Sequence, residues 1–224
     1  MIINNTHKFI FIHIPKNAGT SLSKFFSQYS NWCDIEIGGT QEGEILQPIY
    51  RKKYNLRKHS TAFEIKNVIG ENIYKNYFKF AFVRNPFTRT HSIYNFLKKW
   101  GKCPKEWKEI INSFESFEEF VLSNILFKEK GPDNMFLPQT FWIKHKKYIM
   151  VDFIGKVENI ENDLEKVLSH LDLKPKKIEI PHTNTSKTVS IEAFNNPRVV
   201  DIIRTKYDTD FKNLGYSKDV EKIF

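Results

Sequence analysis

Apolar residues along the chain gather into three short runs, each followed by a stretch of helical periodicity. The first run sets Phe9, Ile10, Phe11, Ile12 and Ile14 almost side by side, as in a strand buried on both faces. Pro15 ends it, because proline has no N–H to give to a ladder. Gly19 permits a tight turn, and Thr20 and Ser21 are expected to open a helix through Leu22, Phe25 and Phe26. The second run, Tyr77 to Val83, is aromatic and apolar and ends at Arg84. Asn85 suits a helix N-cap and Pro86 a first helical position. Ile93, Phe96, Leu97 and Trp100 recur at helical spacing, so this helix is predicted to reach about Trp100. The third run, Val151 to Val157, precedes Asn159 as a cap and a helix presenting Ile160, Leu164, Val167, Leu168 and Leu171.

Ser60 or Thr61 is expected to cap a short helix over TAFEIKNVIG that Gly70 terminates. Ser116 and Glu119 have capping-box spacing at the head of another, and a last helix is predicted near Pro197 to Tyr207. Asn31 to Lys58 contains Gly38, Gly39, Gly43 and Pro48 without a sustained period, and is expected to be a long irregular segment. Gly131 to Pro138 and Pro175 to Lys187 read as loops. Repeated strand–turn–helix units point to a single α/β domain over residues 1–224, with a mostly parallel central sheet flanked by helices.

A chain of 224 residues, 40% hydrophobic and with 20 phenylalanines, can fill a sizeable core. The net charge of +9 favours an anionic partner, or reflects a composition rich in Lys, Asn and Ile. Cys33 and Cys103 are too far apart for a CxxC or metal motif, which fits a reducing compartment. The first residues lack a signal-peptide layout, and no apolar run approaches the roughly 20 residues of a membrane span. A soluble, cytoplasmic protein is expected.

The first strand–turn–helix unit has the makings of an anion seat. Backbone N–H groups at a helix start converge on one point, and the helix dipole adds partial positive charge there. Lys16 brings a full charge, and Thr20 and Ser21 bring hydroxyls. The loop is not a Walker A motif, which needs a lysine directly before the hydroxyl residue and an earlier glycine. Nothing marks a magnesium ligand, and no metal is expected. The second unit places Arg84 at a strand's carboxyl end, the edge where open α/β sheets bind ligands.

IPKNAGTSL together with FVRNPFTRTHSIY resembles the sulfotransferases, in particular the Golgi-type carbohydrate sulfotransferases, their bacterial relatives and the heparan 2-O-sulfotransferases. VDFIGKVENIENDL, PHTNTS and YDTDFKNLGY resemble later blocks of the same family, in the same order. The resemblance implies a P-loop-like three-layer fold and use of 3′-phosphoadenosine 5′-phosphosulfate (PAPS), leaving 3′-phosphoadenosine 5′-phosphate (PAP). It implies that Lys16, Asn17, Ala18, Gly19, Thr20 and Ser21 hold the 5′-phosphosulfate, with Lys16 at the bridging oxygen. Arg84 and Ser92 would hold the 3′-phosphate, and Asn184 and Ser186 would lie near the nucleotide. Arg89 fills a family position either as ligand or as a structural residue, and Gln139 matches a position of unassigned role.

Sulfuryl transfer to a hydroxyl needs alignment, charge stabilisation on the departing phosphate and a base. Lys16 suits the second task. His59, in KHSTAFEI, resembles the catalytic histidine of heparan-type 2-O-sulfotransferases, and a reference pKa near 6.5 suits a base. Glu64, Glu42 and Glu44 are its rivals, since other sulfotransferases use a glutamate. His13 is expected to pack or hydrogen-bond within its strand. The resulting expectation is a sulfotransferase acting on a hydroxyl, foremost of a carbohydrate, with no nucleic-acid partner. A small-molecule kinase with a related phosphate loop is the alternative, and a non-enzymatic anion-binding module a third reading.

Overall fold

The computed structural model describes residues 1–174 and 189–223. In chain order it runs β1 (Ile2–Asn4), β2 (Phe9–Ile12), α1 (Gly19–Phe26), β3 (Ile35–Glu36), α2 (Gln41–Tyr54), α3 (Ala62–Ile69) and α4 (Glu71–Asn76). Next come β4 (Phe78–Val83), α5 (Pro86–Lys99), α6 (Lys105–Ser113), α7 (Phe117–Leu122), α8 (Ile125–Lys128) and α9 (Thr140–Ile143). The chain continues through β5 (Lys144–His145), β6 (Tyr148–Ile149), β7 (Phe153–Lys156), α10 (Ile160–His170), α11 (Pro197–Lys206) and α12 (Asp208–Leu214). Among the described residues, Met1–Val83 with 141–174 form one compact unit, and Arg84–Thr140 with 189–223 another.

The first unit carries a five-stranded sheet in the order β3-β1-β2-β4-β7. β2, β4 and β7 are parallel, with Phe11 opposite Phe80 and Val83 opposite Lys156. β1 pairs antiparallel with both β2 and β3. Side chains alternate across a pleat, so Phe9, Phe11, Phe80 and Phe82 share one face. There they meet Phe25 and Phe26 of α1 and Leu164, Val167 and Leu168 of α10. Phe26 and Phe80 lie 4.9 Å apart, and Phe11 stacks on Phe80 at 5.4 Å. Each such phenylalanine contributes roughly 1.5–3 kcal/mol by leaving water. Gly155 sits opposite Phe82 in the register, and a Cβ there would strike the Phe82 ring.

The second unit is built of helices. Phe87, Ile93 and Leu97 of α5 pack with Phe120 and Val121 of α7, Val199 and Ile203 of α11, and Phe211 of α12. The N-cap of α5 is Asn85, whose Oδ1 accepts from the Phe87 N–H at 2.9 Å, with Pro86 following. No helix among the described residues is long and apolar enough to cross a membrane. Cys33 is exposed and Cys103 buried, and neither forms a disulfide.

Asn31 to Lys58 is not irregular. β3 and the fourteen-residue α2 occupy much of it. Thr40 caps α2 by accepting from the Gly43 N–H, and Pro48 lies inside the helix. Gly43 alone in α2 is buried, so there was no apolar face to betray the helix as a period.

Candidate functional site

In the first unit, β2 leads through His13, Ile14, Pro15, Lys16, Asn17 and Ala18 into α1. Lys16 (φ 68°) and Ala18 (φ 57°) both adopt left-handed backbone conformations, which cost a non-glycine residue roughly 1–2 kcal/mol. Strain of this kind collects at ligand-binding turns. Ala18 is the N-cap of α1 and has no side-chain oxygen with which to cap it. The first turn of α1 therefore gets no side-chain cap from that position, as suits an anion seat. The helix begins at Gly19, just ahead of the expected Thr20 and Ser21, which lie in its first turn. Asn17 is buried and its Nδ2 donates to the Phe82 carbonyl at 3.0 Å, tying the loop to β4. Lys16 and Thr20 are half-buried, and Ser21 is buried.

The His13 ring packs directly on Gly19, where a Cβ would overlap it, and its Nδ1 lies 3.4 Å from Ser23 Oγ. His59 joins this cluster. Its ring stands edge-on to that of His13 at 4.8 Å, and its Nδ1 lies 2.7 Å from the His13 carbonyl oxygen. A carbonyl can only accept, so Nδ1 carries the proton and Nε2 holds the lone pair. The indole Nε1 of Trp142 donates to the His59 carbonyl at 3.1 Å, fixing the backbone as well. Burial, aided by the nearby Lys58 charge, lowers the His59 pKa to about 3, against a smaller upward pull from the His13 carbonyl. The sequence offered a base near its ordinary 6.5; the structure makes the ring neutral far below that. Burial and then the neighbouring His59 depress His13 in the same direction.

The three glutamates are placed differently. Glu64 closes the capping box of α3, its Oε2 accepting from the Thr61 N–H at 2.7 Å and from Thr61 Oγ1 at 3.1 Å. Glu44 accepts from the Gly39 N–H at 2.9 Å and pairs with Lys58 at 3.0 Å. Burial alone would raise its pKa, but those donors outweigh it and hold the carboxyl below its usual range. Glu42 is exposed in the first turn of α2.

In the second unit, Arg84 is half-buried, and its Nε donates to Thr88 Oγ1 at 3.2 Å. Ser92 is buried on α5, and burial followed by the Arg84 charge lowers the pKa of its neighbour His91. Arg89 is buried among structural partners, donating to the Leu137 and Met135 carbonyls at 3.1 Å each and lying over the Tyr207 ring. Gln139 holds the peptide of Arg84, a role the sequence did not announce because its partners are far along the chain. Asn184 and Ser186 lie outside the described residues.

Comparison with known proteins matches residues 1–217 to a family profile described as the sulfotransferase family. An uncharacterized protein of Archaeoglobus fulgidus is 32% identical over 119 residues, covering 53% of this chain and 87% of that protein. Carbohydrate sulfotransferase 12 of Xenopus laevis is 24% identical over 85% of this chain and 52% of its own length. The Mus musculus protein of the same name is 22% identical over 97% of this chain and 60% of its own length. The chain thus spans between half and two thirds of those two relatives. No solved structure matches.

Proposed function

The chain belongs to the sulfotransferase family, and from that premise we propose that it moves a sulfuryl group from PAPS to a hydroxyl of a carbohydrate. The observation that carries this reading is the 2.7 Å bond from His59 to the His13 carbonyl. It leaves a neutral imidazole beside His13, whose own ring packs on Gly19 at the end of the strained loop of Lys16 and Ala18.

The residues present suit the donor chemically. The loop offers the N-terminal turn of α1, the Lys16 ammonium and the hydroxyls of Thr20 and Ser21 to the 5′-phosphosulfate. Arg84 offers a planar fork, and Ser92 a hydroxyl, to the 3′-phosphate. In the reaction the sulfur exchanges its bond to the bridging phosphate oxygen for one to the acceptor oxygen. His59 Nε2 takes the acceptor's proton, and Lys16 stabilises charge on the oxygen that departs. A pKa of about 3 keeps His59 unprotonated but makes it a weak base in the free protein. Negative charge at the loop favours the imidazolium and raises that pKa when the donor is present.

The test is incubation with sulfur-labelled PAPS and a panel of glycans. Label should pass to a glycan with the wild-type protein and not with Lys16→Ala. No transfer to any carbohydrate, with transfer to another hydroxyl compound, would overturn the carbohydrate assignment.

A further inference from the structure

Gln139 and Asp210 are both completely buried, with 0% of either exposed. Burying an amide and a carboxylate is unfavourable unless their hydrogen-bonding groups are satisfied, and here their bonds converge on one residue. Gln139 Oε1 accepts from the Arg84 N–H at 2.8 Å, and Nε2 donates to the Arg84 carbonyl at 2.8 Å. The side chain thus engages both peptide groups of Arg84, as a neighbouring strand does.

Asp210 decides which way the amide faces. Its Oδ2 lies 3.3 Å from Gln139 Nε2 and accepts from the Gln139 backbone N–H at 2.7 Å. An ionised carboxylate only accepts, so it selects the orientation with Nε2 toward itself and Oε1 toward the Arg84 N–H. Oδ1 accepts from the Thr140 N–H at 3.0 Å and from Thr140 Oγ1 at 3.1 Å, which anchors the carboxylate. Farther out, Arg84 Nε donates to Thr88 Oγ1, whose own hydroxyl donates to the Asn85 carbonyl. Backbone and side chain of Arg84 are each set by a neighbour.

We infer that Gln139, oriented by Asp210, is a positioning residue for Arg84 and so contributes to recognition of the 3′-phosphate. The inference rests on the assignment of Arg84 made above. A planar guanidinium meeting a phosphate is sensitive to small displacements, whereas a residue that merely supports the fold has no reason to favour one nucleotide over another.

Calorimetry with PAP and with AMP, which differ only in the 3′-phosphate, tests this on the wild-type protein, Arg84→Ala and Gln139→Met. The wild type should prefer PAP, and Arg84→Ala should lose that preference. Gln139→Met should reduce it by roughly tenfold, about the worth of one charge-assisted hydrogen bond, with AMP affinity unchanged. A wild-type preference in Gln139→Met, or equal weakening of both nucleotides, would overturn the positioning role. No preference in the wild type would instead remove the Arg84 assignment. Should Gln139→Met fail to fold, Asp210→Asn is read the same way: a reduced preference supports the inference and an unchanged one overturns it.

Discussion

His59 and His13 are joined by a 2.7 Å hydrogen bond from the Nδ1–H of one to the backbone carbonyl of the other. That bond fixes the tautomer of His59 and assigns its proton-accepting nitrogen. His59→Ala should lower turnover by roughly two to four powers of ten while PAP still binds. Glu64→Ala should melt lower by loss of the α3 capping box, roughly 0.5–2 kcal/mol, but keep its turnover. Steady-state rates beside PAP titrations check both, and the opposite pattern would move the base role to Glu64.

Acid should destabilise the fold through the same pair. The unfolded chain takes up histidine protons near pH 6.5, while folded His59 resists until about pH 3 and His13 is depressed as well. The unfolded state therefore binds more protons below about pH 6.5, so stability declines as pH falls from there. Above that pH both states hold neutral rings and the effect vanishes. Melting temperatures between about pH 8 and pH 5 should fall less steeply in His59→Gln than in the wild type. A variant as steep as the wild type contradicts the buried, neutral ring.

The β2–α1 loop separates function from strain at one residue. Lys16→Gly should abolish transfer yet melt no lower than the wild type. Glycine accepts the φ of 68° that costs lysine roughly 1–2 kcal/mol, against a smaller entropic loss in the unfolded chain. Rates and thermal melts together decide, and surviving turnover would remove Lys16 from the chemistry.

Gly19 has no room to grow. A methyl group there would overlap the His13 ring, which is itself buried, so it has little space in which to move. Gly19→Ala should lose roughly 1–3 kcal/mol by overpacking, seen as a lower denaturant midpoint. An unchanged midpoint would mean that His13 does not pack on the loop as described.

Much of this was legible where chemistry is local. Pro15 and Gly19 marked the loop, Asn85 and Pro86 marked the start of α5, and Ser60 or Thr61 was expected at the cap of α3, where Thr61 stands. The helix α2 was hidden because Gly43 and Pro48 read as breakers, and its exposed faces leave no apolar period. The antiparallel β1, three residues long, was too short to stand out. Long-range bonds left no local trace either. His13 to His59 spans 46 residues, and Arg84 to Gln139 spans 55.

The most direct test of the account is the thermal shift produced by PAP against that produced by AMP on the wild-type protein. PAP should raise the melting temperature far more than AMP does, because Arg84 and Ser92 then gain a 3′-phosphate to bind. Equal shifts, or none with PAP, would contradict it.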